Sequence, residues 1–326
     1  MRDCFGRSVN YLRVSVTDRC NLRCRYCMPE EGIAKKKHED ILRFEEIYDV
    51  VEACTRLGID KVRLTGGDPL VRKGLADLVR LIASLGTIRD LALTTNGVLL
   101  EKYAAELKKA GLKRVNISLD TLNEEKYRHI TRCGSLKDVL RGIEAAMEAG
   151  LYPIKLNTVL TGGFNEDEIK DFVNLTVDRD IDIRFIELMP IGPAAGWTRE
   201  NFVSNELVLK TCSELKAEES MDKSSPARYY RLPGAKGRVG LINPMSHQFC
   251  GDCNRIRLTA DGKLKPCLNS DQEIDIKAVL RDSNSTDKKE KLLETIKTAI
   301  DAKPEKHGLN EKDSKPIERA MFRIGG

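Results

Sequence analysis

Cys20, Cys24 and Cys27 stand in the spacing CxxxCxxC, and a second set, Cys250, Cys253 and Cys267, has thirteen residues between its CxxC pair and its last cysteine. Each set offers three thiolates where a tetrahedral zinc or a four-iron cluster takes four ligands. One metal position is therefore left open. An open iron on a cubane can bind a substrate or cofactor, whereas structural zinc sites are closed, so three cysteines favour chemistry over scaffolding. Two blander arrangements stand beside this one: a zinc site at the first set that borrows a distant ligand, and one at the second set that His247 completes.

Positive charge accompanies both sets. Between Met1 and Met28 the chain carries Arg2, Arg7, Arg13, Arg19, Arg23 and Arg25 against Asp3 and Asp18, which invites an anionic ligand near the first cysteines. The segment FCGDCNRIR puts Arg255 and Arg257 at alternate positions of a strand-like stretch, hence on one face. Two planar guanidinium forks on one face suit a polyphosphate, and the bland counterpart is a solvated strand edge. A lone interior Arg or Lys more often pairs with an acidic neighbour, for which Glu187 and Asp120 are available. No Walker sequence and no HxxxH or HExxH pair offers a competing phosphate or hydrolase site. Cys54 and Cys212 fall on apolar helical faces as small hydrophobes, while Cys4 and Cys133 carry no assignment.

The elements that must hold these residues are legible from periodicity. Short β-branched runs at YLRVSV, DKVRLT, RDLALTT, KRVNISLD, YPIKLNTVL and DIRFIEL alternate with amphipathic stretches, the pattern of β/α units around a parallel sheet. Ile47, Val50, Val51, Cys54 and Leu57 recur at helical spacing, as do Leu75, Leu78, Val79 and Ile82, and later Leu140, Ile143 and Met147. Six units fall short of a closed eightfold barrel, so a partial barrel and a doubly wound sheet both remain open, with ligands at strand C-terminal ends in either. The segments that follow the strands, TDRCNLRCRYC, GGDP, TTNG, SLDTLN and ELMP, would converge on one face. Gly66-Gly67 reads locally as a tight turn at positive φ. Beyond Met189 come a Gly- and Pro-rich loop, a helical stretch near Leu207–Leu215 and a polar break at ESMDKSSPAR, which puts a domain boundary near Glu218. Short strands RVGLI and RIRLT, a turn at ADGK and a charged helix-prone stretch from Asp275 to Ala302 follow.

Ordinary composition, 41% hydrophobic and 32% charged, and the lack of an 18-residue apolar run argue against a membrane protein. The first residues have no apolar signal core, so a cytoplasmic location is expected. There a reducing environment disfavours disulfides and turns ten cysteines toward metal or redox chemistry.

CxxxCxxC with Tyr26 just before its last cysteine resembles the signature of the radical S-adenosylmethionine superfamily, and GGDP at 66–69 resembles that superfamily's GGEP segment with Asp68 in place of Glu. Through LRVSVTDRCNLRCRYCMP, KVRLTGGDPL, TTNG, NISLD, KLNTV, RFIELMP, FCGDCNRIR, GLINP and the terminal IGG, nearly the whole chain is similar to the GTP 3',8-cyclase family, most weakly over Asp282–Arg319. The resemblance implies an α/β fold, a partial (β/α)6 parallel barrel over 1–218 with a smaller C-terminal iron-sulfur cluster-binding domain over 219–326. It implies two 4Fe-4S clusters, one on Cys20, Cys24 and Cys27 and one on Cys250, Cys253 and Cys267. S-adenosylmethionine would be bordered by Tyr26, Gly67, Ser118 and Met189 and cleaved to a 5'-deoxyadenosyl radical. GTP would meet Arg13, Arg63, Thr94, Lys155, Arg184, Arg255 and Arg257, with Arg13 and Arg257 catalytic, and Gly325 and Gly326 would form a tail reaching the active site. Implied partners are an electron donor and, along the pathway, the downstream cyclic pyranopterin monophosphate synthase. No nucleic acid or membrane partner is expected, and a homodimer stays open. Another auxiliary-cluster enzyme of the superfamily, such as a peptide-modifying maturase, and a non-catalytic iron-sulfur redox sensor are the competing readings.

Overall fold

Six strands form within one or two residues of their expected limits: β1 (Tyr11–Ser15), β2 (Lys61–Thr65), β3 (Asp90–Thr95), β4 (Arg114–Ser118), β5 (Ile154–Leu160) and β6 (Ile181–Glu187). In this computed structural model, which describes residues 1–33, 36–191, 195–219, 222–283, 287–309, 317 and 319–325, they pair in parallel and in chain order. Gly326 lies outside the described residues. Helices α1 (Phe44–Arg56), α2 (Leu75–Ala83), α3 (Leu100–Ala110), α4 (Glu124–Thr131), α5 (Leu136–Glu148) and α6 (Ile169–Asp178) connect them. This is the mixed α/β, parallel-sheet architecture that the β/α alternation predicts.

The helical faces follow the apolar spacing in α1, where Ile47, Val50, Val51 and Cys54 are buried, and in α2, where Leu75, Leu78, Val79 and Ile82 are. In α5 the expected face is wrong by about one position. Leu140 is exposed and Met147 half-buried, while Leu136, Val139, Ile143 and Ala146 form the buried stripe. The cause is Gly142. A Cβ there would stand 2.3 Å from the carbonyl oxygen of Gly97, so α5 lies backbone-close to the loop after β3, and that contact sets its rotation.

The C-terminal strands join the same sheet. They are β7 (Lys216–Glu218), β8 (Ala227–Arg231), β9 (Val239–Ile242), β10 (Arg255–Leu258), β11 (Lys263–Lys265) and β12 (Ile274–Asp275). Strand β9 adds in parallel to β6 at one edge and β10 in parallel to β1 at the other, giving the order β12-β11-β10-β1-β2-β3-β4-β5-β6-β9-β8-β7. Eight consecutive strands are thus parallel, two more than the expected six, and antiparallel hairpins flank them on an open sheet. The boundary expected near Glu218 falls inside a hairpin, since Glu218 pairs with Tyr229. The charged stretch after Asp275 is two helices, Ile276–Arg281 and Lys288–Asp301.

Parallel sheets are usually apolar on both faces. Here the outward positions are apolar, with Leu12, Val14, Val62, Leu64, Leu91, Leu93, Val115 and Ile117 buried against the helices, while the inner face is mixed. The alternate positions carry Arg13, Arg63, Thr94, Arg114, Lys155 and Arg184 toward the inside. A polar inner face requires a cavity or a ligand, because unsolvated charge inside a filled barrel would be very costly.

Glu46 joins the barrel to the C-terminal helices. Its carboxylate accepts from the Arg43 backbone N–H at 2.7 Å and from Arg281 Nε and Nη2 at 2.7 and 3.0 Å. Burial alone would raise its pKa, but Arg281 and the Arg43 amide outweigh it and bring the value from 4.5 down to about 2. Glu46→Gln should therefore lower stability near neutral pH by about 1–3 kcal/mol. That deficit is fully present above pH 4.5 and closes as pH falls toward about 2, where the parent carboxylate is protonated as well. Urea denaturation of both proteins across this range measures it, and a deficit that does not change with pH would show that the charge is not engaged.

Candidate active site

The inner sheet face, the loop after β1 and the C-terminal segment enclose one cavity of about 780 Å³. All six cysteines of the two sets line it, as do Tyr26, Gly67, Ser118, Met189, Arg13, Arg63, Thr94, Lys155, Arg184, Arg255 and Arg257. Residues spread over the whole sequence are brought together because the inward-facing positions of every parallel strand share one face.

At one side lies the first cysteine loop. Gly66 and Gly67 hold it, but not through a left-handed turn, since neither has positive φ. A Cβ on Gly66 would sit 2.4 Å from Thr17 O and one on Gly67 2.3 Å from Arg19 O. The two backbones are bonded, with Gly67 N donating to Thr17 O and Asp68 N to Arg19 O, each at 2.8 Å. Close backbone approach is thus the reason for both glycines. Asp68 is buried and accepts from Leu70 N at 3.0 Å, Thr95 Oγ1 at 2.7 Å and Asn96 N at 2.6 Å. Burial pushes it up to about 6 against the pull of those three donors. The shorter carboxylate thereby locks the loop after β3, and Asn96 Nδ2 in turn reaches Asn21 Oδ1 at 2.8 Å and Cys20 Sγ at 3.5 Å. Leu22 N also donates to Cys20 Sγ at 3.3 Å. Tyr26 donates to Asp120 at 2.7 Å, whose other oxygen accepts from Val159 N at 2.9 Å.

The two cysteine sets sit in different fields. Burial, joined by neighbouring thiols and acids, pushes Cys20 up to about 11, Cys27 up to about 12 and Cys24 well above the usual thiol range. Burial also raises Cys250. For Cys253 the positive charges of Arg255 and Lys303 outweigh burial and bring it down to about 7. Among the described residues no three His, Cys, Asp or Glu side chains close around a single metal ion. His247, the candidate fourth zinc ligand, is exposed and does not line the cavity. Each triad brings three thiols to the cavity, a donor set that fits a cluster with one position open better than a closed zinc site.

Cations cover the wall between the sets. Arg257, Arg13 and Arg63 occupy one row across β10, β1 and β2. Burial and mutual repulsion pull Arg13 and Arg63 down to about 9 and Arg257 to about 10, so all three are charged at neutral pH. The Nε of Arg63 and the Nε and Nη2 of Arg255 are buried without a hydrogen-bond partner. Glu187 and Asp120 do not pair with this wall: Glu187 accepts from Met245 N, Ser246 N and Ser246 Oγ. Acidic partners come instead from the neighbouring inward positions, Asp90 for Arg114 at 2.5 Å and Asp182 for Lys155 at 3.3 Å and Arg238 at 2.8 Å. Tyr229 accepts from Lys155 at 3.2 Å and from Arg184 Nε at 3.0 Å; burial raises its phenol, but those two cations prevail and lower it. Tyr11, Arg114, Tyr229 and Arg238 were not among the expected site residues. For Tyr11 and Arg114 the available signal is their even spacing from Arg13 and Ser118 along a strand.

The C-terminal segment lines part of the cavity with Met321 and Phe322. Phe322 packs with Met28 and Ala320 against Cys20 and Cys27. Gly325 has φ +80°, its carbonyl accepts from Arg257 Nη1 at 2.9 Å, and a Cβ on it would lie 2.8 Å from Thr65 Cγ2. Arg319 anchors this segment through two 3.1 Å bonds to Asp261 and a 2.9 Å contact with Glu273. Burial opposes charge on Asp261, but Arg319, Lys36 and Thr259 hold its carboxyl well below the usual range.

A sequence model of the Radical SAM superfamily matches residues 14–176, and one described as Molybdenum Cofactor Synthesis C matches residues 181–309. The chain is 55% identical over 326 residues to the GTP 3',8-cyclase of Alkaliphilus oremlandii strain OhILAs, covering 100% of both. It is 57% identical over 325 residues to that of Peptoclostridium acidaminophilum, covering 99% of this chain and 98% of the relative. In fold it is similar to methylornithine synthase, with a TM-score of 0.53 at 16% identity over 92% of this chain and 84% of that one. Streptococcus suis SuiB gives 0.58 at 15% identity over 84% of this chain and 65% of its own.

A cavity with this much uncompensated positive charge should be stabilised by a polyanion. Inorganic tripolyphosphate at about a hundred times its Kd is expected to add ~2.7 kcal/mol and raise the melting temperature. Arg63→Ala should weaken that binding at least tenfold, and calorimetry with salt as a control checks both. Equal affinity for the parent and this variant would place the anion elsewhere.

Proposed function

The chain belongs to the GTP 3',8-cyclase family of the radical SAM superfamily, and from that membership we propose how its own residues divide the work. The family reaction is the cyclisation of GTP to (8S)-3',8-cyclo-7,8-dihydroguanosine 5'-triphosphate, the first step of molybdenum cofactor biosynthesis. Superfamily membership implies a 4Fe-4S cluster and S-adenosylmethionine, which when bound together supply hydrogen-atom abstraction at the ribose C3'.

Cys20, Cys24 and Cys27 hold that cluster. The donor set fits: three thiols, with Leu22 N and Asn96 Nδ2 already directed at one sulfur, donors that offset part of the cost of burying its thiolate. Tyr26, Gly67, Ser118 and Met189 border S-adenosylmethionine, Tyr26 being fixed in place by Asp120. Cys250, Cys253 and Cys267 would hold a second 4Fe-4S cluster that anchors the guanine, and the cations around Cys253 favour its thiolate. Arg63, Thr94, Lys155, Arg184 and Arg255 bind and orient GTP, while Arg13 and Arg257 stand beside the reacting sugar as the catalytic pair. Held this way, C3' would face the first cysteine set with guanine C8 kept within bonding reach of C3', so positioning supplies much of the rate. Gly325 sits at the site through the bond its carbonyl accepts from Arg257. Residues 1–218 serve S-adenosylmethionine and 219–326 the auxiliary cluster as functional halves of one continuous sheet. We place the reaction in the cytoplasm, with an external electron donor and the cyclic pyranopterin monophosphate synthase as the consumer of the product. Among the described residues no helix is long and apolar enough to cross a membrane.

The observation that carries this reading is the single cavity shared by both cysteine sets and the row of guanidiniums between them. Anaerobic reconstitution followed by iron, sulfide and GTP-dependent 5'-deoxyadenosine assays tests it. Cys24→Ala should abolish S-adenosylmethionine cleavage; Cys253→Ala should retain uncoupled cleavage and lose the cyclised nucleotide. Parent-level cyclisation by Cys253→Ala would remove the guanine-anchoring role.

Arg319→Ala is expected to reduce cyclisation at least tenfold while iron content and tripolyphosphate affinity stay near the parent's, because it frees the tail without touching the wall. Faster hydrogen exchange at Phe322–Ile324 would accompany that loss. Parent-level turnover with an exchanging tail would make the tail dispensable.

A further inference from the structure

Lys303 follows the helix Lys288–Asp301 in the stretch where family resemblance is weakest, and it is only 3% exposed. Its ammonium donates to the carbonyls of Arg255 at 2.7 Å and Pro266 at 3.1 Å, and to Cys253 Sγ at 3.7 Å. No carboxylate pairs with it among the described residues. A buried ammonium without a carboxylate partner is costly, and the sulfur within its reach is that of Cys253.

The position of its two carbonyl partners is informative. Arg255 lies two residues past Cys253, and Pro266 immediately precedes Cys267, so one ammonium spans the gap between the CxxC loop and the distant third cysteine. The remaining cysteine is tied to the same segment by Arg7. Its Nε pairs with Asp3 at 2.6 Å, Nη1 donates to Cys250 O at 2.9 Å and Glu305 O at 3.0 Å, and Nη2 donates to Pro304 O at 2.8 Å. Two buried cations thus connect all three cysteines to residues 303–305, and one of them points at a sulfur.

We propose that Lys303 is a positioning residue for the second cluster, holding Cys253 and Cys267 at the spacing the cluster needs and compensating the negative charge of the loaded thiolates, with Arg7 as its buttress. The proposal rests on the reading of Cys250, Cys253 and Cys267 as cluster ligands. Hydrogen bonds and nearby charge at the sulfurs set the potential of such clusters, so removing a buried positive charge should make reduction harder.

The test uses the full-length chain with Cys20, Cys24 and Cys27 all replaced by Ala, so that only the second cluster reports. In that background Lys303→Met should lower the midpoint potential by at least 59 mV, a tenfold change in a one-electron equilibrium, and should lose iron to a chelator at least tenfold faster. Lys303→Gln keeps an amide donor for the carbonyls but has no charge, and is expected to show the same drop in potential; it also serves if the Met variant does not fold. Lys303→Arg should restore most of the potential. Parent potential and parent iron retention in Lys303→Gln would reduce Lys303 to a backbone tie and overturn the proposal. A triple-alanine background that binds no iron and sulfide would instead overturn the second-cluster reading itself, and the proposal with it.

Discussion

Three guanidiniums in adjacent positions of adjacent strands, Arg257, Arg13 and Arg63, set the electrostatic problem that the rest of this structure answers. Neighbouring strands lie about 4.8 Å apart, and two charges ~5 Å apart repel by about 3 kcal/mol even at an effective dielectric of 20. A fold tolerates such a row only if the remaining stability comes from elsewhere. It comes from the outward face of the same strands, where every other residue is aliphatic and buried beneath α1 to α6. One strand therefore performs two tasks, because a period of two separates them completely.

Compensation of the charge is graded across the sheet. Toward β3 to β6 the cations have partners: Asp90 for Arg114, Asp182 for Lys155 and Arg238, Tyr229 for Arg184. Toward β10, β1 and β2 the compensation is sparse, with buried nitrogens of Arg63 and Arg255 unsatisfied and Arg257 reaching the carbonyl of Gly325. A nucleoside triphosphate would supply the missing negative charge where the fold withholds it. The same gradient separates Cys24 from Cys253: burial, joined by neighbouring thiols and Asp120, raises the first, whereas Arg255 and Lys303 outweigh burial and lower the second.

Close backbone approach is the second organising constraint, and it explains Gly66, Gly67 and Gly142, where turn geometry does not. Gly66 and Gly67 lie against Thr17 and Arg19, and Gly142 against Gly97. Each contact brings a loop or helix to the cavity rim where a methyl group would not fit. Asp68 belongs to the same device, since a carboxylate with both oxygens taken by the loops acts as a lock on the rim.

Much was decided within short stretches of sequence. The six barrel strands, the helical faces of α1 and α2, both cysteine sets and the alternation of Arg255 and Arg257 follow from periods of 2 and 3.6 and from ligand spacing, which depend on residues only a few positions apart. The rest depended on tertiary contacts. The addition of β9 and β10 to opposite edges of one sheet, the rotation of α5 set by Gly142, the choice of Asp90 and Asp182 over Asp120 and Glu187 as partners, and the links of Lys303 and Arg319 to distant residues are examples. Local spacing says which side of a strand a residue faces, but not which strand lies beside it. Strand order and register are set by the packing of the whole sheet, and with them every pairing between residues far apart in the chain.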